Sequence, residues 1–254
     1  MEKPADLGFR MPAEWEPHDA VWFSWPHPDT ESFPGAYDRI PRALGALVRA
    51  AAEFGPARVN VRDAGEEKEA RRHIGKCDNV QFFPIDSDEP WCRDHGPIFL
   101  VNDRSGEVAV ADFEFNSLGR KLPRWELDRR VPEAMARQLG LRHLVCPVIL
   151  EGGSVEVNGT GSVLTTRSCL LNPNRNPALT EEQIVRNLEQ WLGVRNVLWL
   201  GDGIEGDDTD GHIDDLTRFV GKSRVLTVRE DNPEDPNHAV LEENWQTLRA
   251  LRDE

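Results

Sequence analysis

The chain has 254 residues, 39% of them hydrophobic, with 45 acidic against 30 basic residues and a formal net charge of −15. That length can bury one substantial core, the composition excludes a disordered chain, and the acidic balance argues against nucleic acid while favouring cationic ligands. The apolar runs are too short to span a bilayer, Met1 to Arg10 carries no apolar signal segment, and four scattered cysteines with no CxxC pair (Cys77, Cys92, Cys146, Cys169) fit reduced thiols in a cytoplasm.

In chain order, the pattern predicts a strand over 20–25, a helix over 38–54 stopped by Gly55, a strand over 57–61 and a short polar helix over 66–74. A strand over 80–84 is followed by the motif WCRDHG at 91–96 and a hairpin of 98–101 and 108–113. Next comes a helix over 129–139, with Asp128 as its cap, Pro132 in its first turn and Gly140 as its stop. A strand over 144–150 leads to LEGGSVEVNG at 150–159, whose hairpin pairs 154–158 with 162–166. The helix over 181–192 has a capping-box pattern in Thr180 and Gln183, an apolar face of Ile184, Val185, Leu188, Trp191 and Leu192, and Gly193 as its stop. A strand over 197–200 precedes TDGHIDD at 209–215, a hairpin of 216–220 and 224–228, and a last helix over 237–251.

The three acidic motifs are evenly spaced. Asp94 to Glu151 is 57 positions and Glu151 to His212 is 61. Each motif opens a strand–turn–strand segment followed by a helix, so a ββαβ-like unit of about 60 residues recurs. Closing such units into a ring brings all the acidic turns to one centre. The expected modules run over 10–76, 77–140, 141–193 and 194–254 of a single domain, 1–254. A strand follows each of the two earlier helices, whereas the expected next strand lies past Glu254, so the last unit reads as cut.

Converging carboxylates repel one another unless a cation sits between them, and a planar guanidinium binds carboxylates through paired N–H donors. Asp94, Glu151 and Asp214 are the candidates, with Gly96, Gly152, Gly153 and Gly211 allowing close backbone approach. His212 is lodged among these acids, which would raise its pKa and suit it as a general acid. Trp91 suits a cation–π wall. Each residue has an ordinary alternative: a turn or cap role for Asp94, a solvated hairpin acid in Glu151, a surface residue in His212 and core packing for Trp91. His95 is a second acid–base candidate. Asp208, Asp210 and Asp214 have partial calcium-loop spacing, but the DxDxDG order and closing Glu are missing, and no HxH or HExxH partner supports zinc.

The motifs WxRDxGP at 91–97, EGG at 151–153 and TDGHID at 209–214 resemble the agmatine deiminase family, kin to the bacterial peptidylarginine deiminases among guanidine-modifying enzymes. So do MPAEWEPHDAVWFSWP at 11–26, FNSLGRKLP at 115–123 and ELDRRVPEAMA at 126–136. The resemblance implies the pentein fold, a five-fold pseudosymmetric α/β propeller, with about four of five modules in this chain. It implies a cysteine thiolate that attacks the guanidinium carbon, release of ammonia, and hydrolysis of a thiouronium intermediate to a carbamoyl product on a route to putrescine. His212 is then the acid–base, Asp94 and Asp214 bind the guanidinium, Glu151 supports it or His212, and Trp91 lines the pocket. No metal or organic cofactor is implied; a homo-oligomer is. Two departures stand out. The family's C-terminal Gly-rich segment with its nucleophilic Cys has no match here, so the chain by itself is expected to be inactive. Leu118 stands where Trp is expected in FNxWGxK. Asn116 supplies no charge for a substrate carboxylate, although Arg120 and Arg124 lie nearby, which favours agmatine, with its distal amine near Asp208. Peptidylarginine or arginine as substrate, a non-catalytic guanidine-binding remnant and a metal-dependent hydrolase are the alternatives.

Overall fold

The computed structural model describes residues 2–252; Met1, Asp253 and Glu254, the ends of the expected 1–254 domain, lie outside the described residues. The fold is mixed α/β. Its strands are β1 (Val21–Ser24), β2 (Ala57–Val61), β3 (Val80–Pro84), β4 (Ile98–Val101), β5 (Val108–Glu114), β6 (Arg142–Ile149), β7 (Glu156–Val157), β8 (Ser162–Thr166), β9 (Asn196–Leu200), β10 (Thr217–Gly221) and β11 (Arg224–Thr227). Its helices are α1 (Ile40–Ala52), α2 (Ala64–Ile74), α3 (Cys92–His95), α4 (Ser117–Arg120), α5 (Val131–Leu139), α6 (Arg167–Leu170), α7 (Glu181–Leu192) and α8 (His238–Ala250).

The strands form four small sheets among the described residues: β1-β2-β3, β4-β5-β6, β7-β8-β9 and β10-β11. The first is parallel throughout. In the next two, an antiparallel hairpin takes the strand after the following helix as a parallel third member. This is the ββαβ unit expected from the repeat: β4-β5-α5-β6, then β7-β8-α7-β9. The β10-β11 hairpin has two strands among the described residues, with Leu226 66% and Val220 58% exposed.

Local sequence accounts for most of these elements. α7 has the full reciprocal capping box between Thr180 and Gln183 and ends at Gly193 in the left-handed region. It buries Ile184, Leu188, Trp191 and Leu192 in the main core, which also holds the sheet residues Ala111, Phe113, Val157 and Val163. The three fully buried ones, Leu188, Trp191 and Leu192, together contribute several kcal/mol, at about 25 cal/mol per Å² of apolar surface. In the first unit, α1 crosses α2 at Gly45, where an added Cβ would lie 2.8 Å from the His73 carbonyl carbon and oxygen. α1 stops at Ala52, before Gly55, and α2 begins at Ala64 because the Asp63 carboxylate accepts from the amides of Gly65 and Glu66. Asp128 makes no cap. It is fully buried in a 3₁₀ turn before α5 and accepts hydrogen bonds from the amides of Asp88 and Glu89. Orphaned backbone donors claimed that carboxylate ahead of the helix end.

Candidate functional site

The three acidic motifs meet. Asp94 comes from α3, a single turn too short to leave a periodicity signal. Glu151 follows β6 at the start of a 3₁₀ turn, and His212 and Asp214 flank the start of another before β10. His212 Nδ1 lies 3.4 Å from Asp94 and 4.0 Å from Asp214, and its Nε2 lies 4.0 Å from Glu151. Glycine makes this approach feasible. A Cβ on Gly153 would fall 2.5 Å from His212 Nδ1 and 2.6 Å from Asp94 Oδ1, and the Gly153 amide donates to that same Asp94 oxygen at 3.0 Å.

These residues line or back a cavity of about 570 Å³ whose wall includes Trp91, Arg93, Asp94, Leu118, His212 and Asp214. Acids dominate its outer part, with Glu31, Asp208 and Asp215. Trp91 is 42% exposed and donates its indole N–H to Ser32, so it is a cavity wall and not core. Leu118 reaches the cavity from α4, a single turn in which Ser117, Leu118, Gly119 and Arg120 all have positive φ. Three non-glycine residues in that region are costly, of order 1–2 kcal/mol each. Asn116 holds the turn: its carboxamide accepts from the Gly119 amide and donates to the Asn174 carbonyl.

Burial decides the charge states. Desolvation, with Asp214 and Glu151 nearby, pushes Asp94 up to about 8. Burial also raises Asp214 and Glu151, against the pull of Arg93 and Arg175 respectively. The acids therefore do repel one another, as expected. His212 runs against expectation. Its pKa is lowered to about 3, first by burial and then by Arg175 and Arg93, which outweigh the surrounding carboxylates. It rests as a neutral imidazole, 2% exposed, and is not a surface residue.

The residue that sequence reasoning missed is Arg175. Its side chain is wholly buried. Its Nε donates to both oxygens of Glu151 at 3.0 and 2.9 Å, Nη1 to Asp210 at 2.7 Å, and Nη2 to the Thr209 carbonyl at 2.8 Å. It thus joins the Glu151 turn to the His212 loop. It sits in the loop NPNRNP at 172–177, which has no periodicity and is fastened by Asn176 to both backbone groups of Ile149. A fully buried Glu151, and not a solvated hairpin acid, requires a cationic partner. That requirement is the available signal, but nothing in the spacing points to position 175. Arg93 was likewise missed. It bridges Glu14, Glu156 and Asp214, lying 3.3 Å from the last.

Asp208, Asp210 and His95 complete the neighbourhood. Asp210 commits one oxygen to Lys121 and the other to Asn174 and Arg175, which removes it from a calcium loop. Asp208 lines the cavity, exposed. His95 is buried, with Nε2 on the Glu89 carbonyl and its pKa lowered to about 4 by desolvation, so it does not share the acid–base position.

Breaking the Arg175–Glu151 pair should be severe. Arg175→Met leaves Glu151 uncompensated and is expected to lower stability by about 3–5 kcal/mol, with much of that recovered in the Arg175→Met, Glu151→Met double variant. Denaturant midpoints of the three proteins measure it; equal stability of Arg175→Met and the parent would contradict the role given to the pair.

Residues 10–254 match the family described as Porphyromonas-type peptidyl-arginine deiminase. The agmatine deiminase of Pseudomonas aeruginosa is 37% identical over 98% of the chain, which covers 68% of that relative. That of Pseudomonas syringae pv. tomato is 38% identical with the same coverage. The structure of Enterococcus faecalis agmatine deiminase catalysing its reaction superposes with a TM-score of 0.93 at 32% identity, covering all of this chain and 69% of that one. Substrate-bound C. jejuni agmatine deiminase superposes with a TM-score of 0.87 at 30% identity, over 95% of this chain and 71% of that one. With the match running from residue 10 to 254 and the fold shared throughout, the chain belongs to the Porphyromonas-type peptidyl-arginine deiminase family.

Proposed function

We propose that this chain carries the guanidinium-binding and acid–base part of an agmatine deiminase, with its repeated units as blades of a pentein propeller. The observation that carries the proposal is the convergence of Asp94, Glu151, His212 and Asp214 beneath an acid-rimmed cavity. Asp94 and Asp214 take the planar guanidinium, and Trp91 stands along the wall. At the mouth, Glu31, Asp208 and Asp215 suit the distal ammonium of agmatine. Arg93 is the one cation among the described lining residues, and it is engaged by Glu14 and Asp214. A substrate carboxylate, as in free arginine, would meet acids there, which favours agmatine over arginine.

The chemistry proposed is hydrolysis at a C–N bond of the guanidinium. A thiol gives its proton to the neutral imidazole of His212 and adds as the thiolate to the guanidinium carbon, the C–N bond breaks, and ammonia leaves with that proton. Water then adds to the thiouronium carbon, His212 takes its proton, and the thiolate departs from N-carbamoylputrescine, the precursor of putrescine. The imidazole starts neutral, and the incoming guanidinium restores the charge on the acids around it. Glu151, held by Arg175, orients the ring from behind.

None of the four thiols lines the cavity. Cys92 donates to the Trp22 carbonyl, and burial pushes its pKa up to about 11. Cys146 is raised to about 12 by burial, and Cys169 well above its usual range. Cys77 packs half-buried at the first core. We infer from this burial that the attacking thiolate comes from outside these four, and residues 1–254 are expected to release no ammonia from agmatine above a His212→Ala control. Turnover above that control would contradict this. All four cysteines are free, in keeping with a reducing cytoplasm, and no helix among the described residues is long and apolar enough to cross a membrane.

Binding is separable from turnover. Asp94 is mostly protonated at neutral pH, so capture of a guanidinium should expel a proton. Because its folded-state pKa is raised, the empty site is stabilised at low pH and loses that stability as pH climbs through about 8. Agmatine affinity should accordingly rise by up to about tenfold per pH unit below that value and then level off. Calorimetry in buffers of different ionisation enthalpy reads the proton directly. The parent should release close to one proton near neutral pH and Asp94→Asn none; pH-independent binding without proton release would refute the charge assignment.

A further inference from the structure

On the Nε2 side of His212, away from Asp94 and Asp214, lies a second cluster that adds Cys169, a thiol the proposed chemistry does not use, to His212 and Glu151. Its members are Glu151, Cys169 and His212, all buried, each offering one donor atom, with the donors within 4.8 Å of one another. They come from three places in the chain: the turn after β6, the one-turn helix α6 and the loop before β10. Thr166 ties the last two together, accepting from the Cys169 amide and donating to the Gly211 carbonyl.

An independent observation points to a ligand. His212 Nε2 is buried and has no hydrogen-bond partner. The other ring nitrogen, Nδ1, faces Asp94 and Asp214, so a proton held there leaves a bare lone pair on Nε2, which lies 4.0 Å from Glu151 in the cluster that includes Cys169. A buried acceptor without a donor is expensive, and a cation is what completes it.

We propose that Glu151, Cys169 and His212 Nε2 form an inhibitory site for a zinc ion. The donor set is mixed nitrogen, sulfur and oxygen, which suits Zn²⁺ and not the all-oxygen preference of calcium or magnesium. Donors on one tetrahedral zinc stand ~3.5 Å apart, so the cluster closes by side-chain rotation of about 1 Å. The thiol of Cys169 loses its proton to solvent as the S–Zn bond forms, and water takes the fourth position. Arg175 offsets one carboxylate of the site and is itself shared with Asp210, which lies near Cys169. Glu151 gives one oxygen to the metal and keeps Arg175 on the other.

Zinc held here occupies the lone pair of His212 and leaves the guanidinium side of the cavity open. Its binding stands on this geometry alone; its effect on turnover rests on the role proposed for His212. The metal would block proton transfer without displacing substrate, a fall in kcat at unchanged KM.

The test uses the metal alone on residues 1–254. Co²⁺, a spectroscopic substitute for zinc, should bind at one equivalent with a near-ultraviolet thiolate-to-metal charge-transfer band and tetrahedral visible bands. Zinc should erase both. Cys169→Ser should abolish the charge-transfer band, and His212→Gln should weaken cobalt binding by more than about 100-fold, beyond the loss typical of an outer-shell change. Should Cys169→Ser not fold, calorimetry of the parent protein decides: zinc binding must release one thiol proton, and His212→Gln must abolish the tight phase. A band that survives both substitutions, or oxygen-only octahedral cobalt spectra, would place the metal elsewhere and overturn the proposal. Zinc binding that occurs while agmatine fails to bind would retain this site and remove the guanidine reading instead.

Discussion

The buried ion pair between Arg175 and Glu151 is the interaction on which the site depends. Glu151 is wholly shielded from water and would be intolerable as a lone charge, and Arg175 answers with its Nε–H shared between the two carboxylate oxygens. The same guanidinium reaches Asp210 and the Thr209 carbonyl, so one planar group fixes the angle between two turns that are far apart in sequence. Arginine suits this task where lysine would not, because its rigid fork serves several acceptors in one plane. His212 and Asp214 take their positions from the loop so held, and Gly153 leaves the space into which they fit.

Around that pair the molecule keeps two layers of charge. The inner layer is neutralised by its own arginines, Arg175 on Glu151 and Arg93 on Asp214. The outer layer, from Asp94 to the acids at the cavity mouth, is not. Asp94 therefore holds a proton until something cationic replaces it. Stored repulsion of this kind is a recognition device: a compact, planar cation relieves it, and a neutral ligand does not. The neutrality of His212 follows from the same arrangement. Its acids are discounted by their arginines, and burial then dominates.

Much of this was legible in the residues. The helix over 181–192 and the strands over 57–61 and 80–84 fall where expected, because a capping box and β-branched runs are local and strong signals. The convergence of Asp94, Glu151 and His212 was legible in their even spacing, since the repeat reflects one structural unit used again. What escaped is what has no period. The single turns α3, α4 and α6 are too short to show one, and the loop carrying Arg175 is ordered by asparagine side chains in place of a backbone ladder. The expected cap at Asp128 and the expected rise in the pKa of His212 failed for one reason: both depend on which buried groups compete for a charge, and that is decided only in three dimensions.

The proposed guanidinium cradle thus draws its parts from three acidic motifs, two of which Arg175 joins. Determining the structure of residues 1–254 with agmatine bound tests this most directly. The guanidinium plane should lie between Asp94 and Asp214, within hydrogen-bond reach of His212, with the distal amine toward Glu31, Asp208 or Asp215. Agmatine found outside this cavity, or reversed with its amine at Asp94, would contradict it.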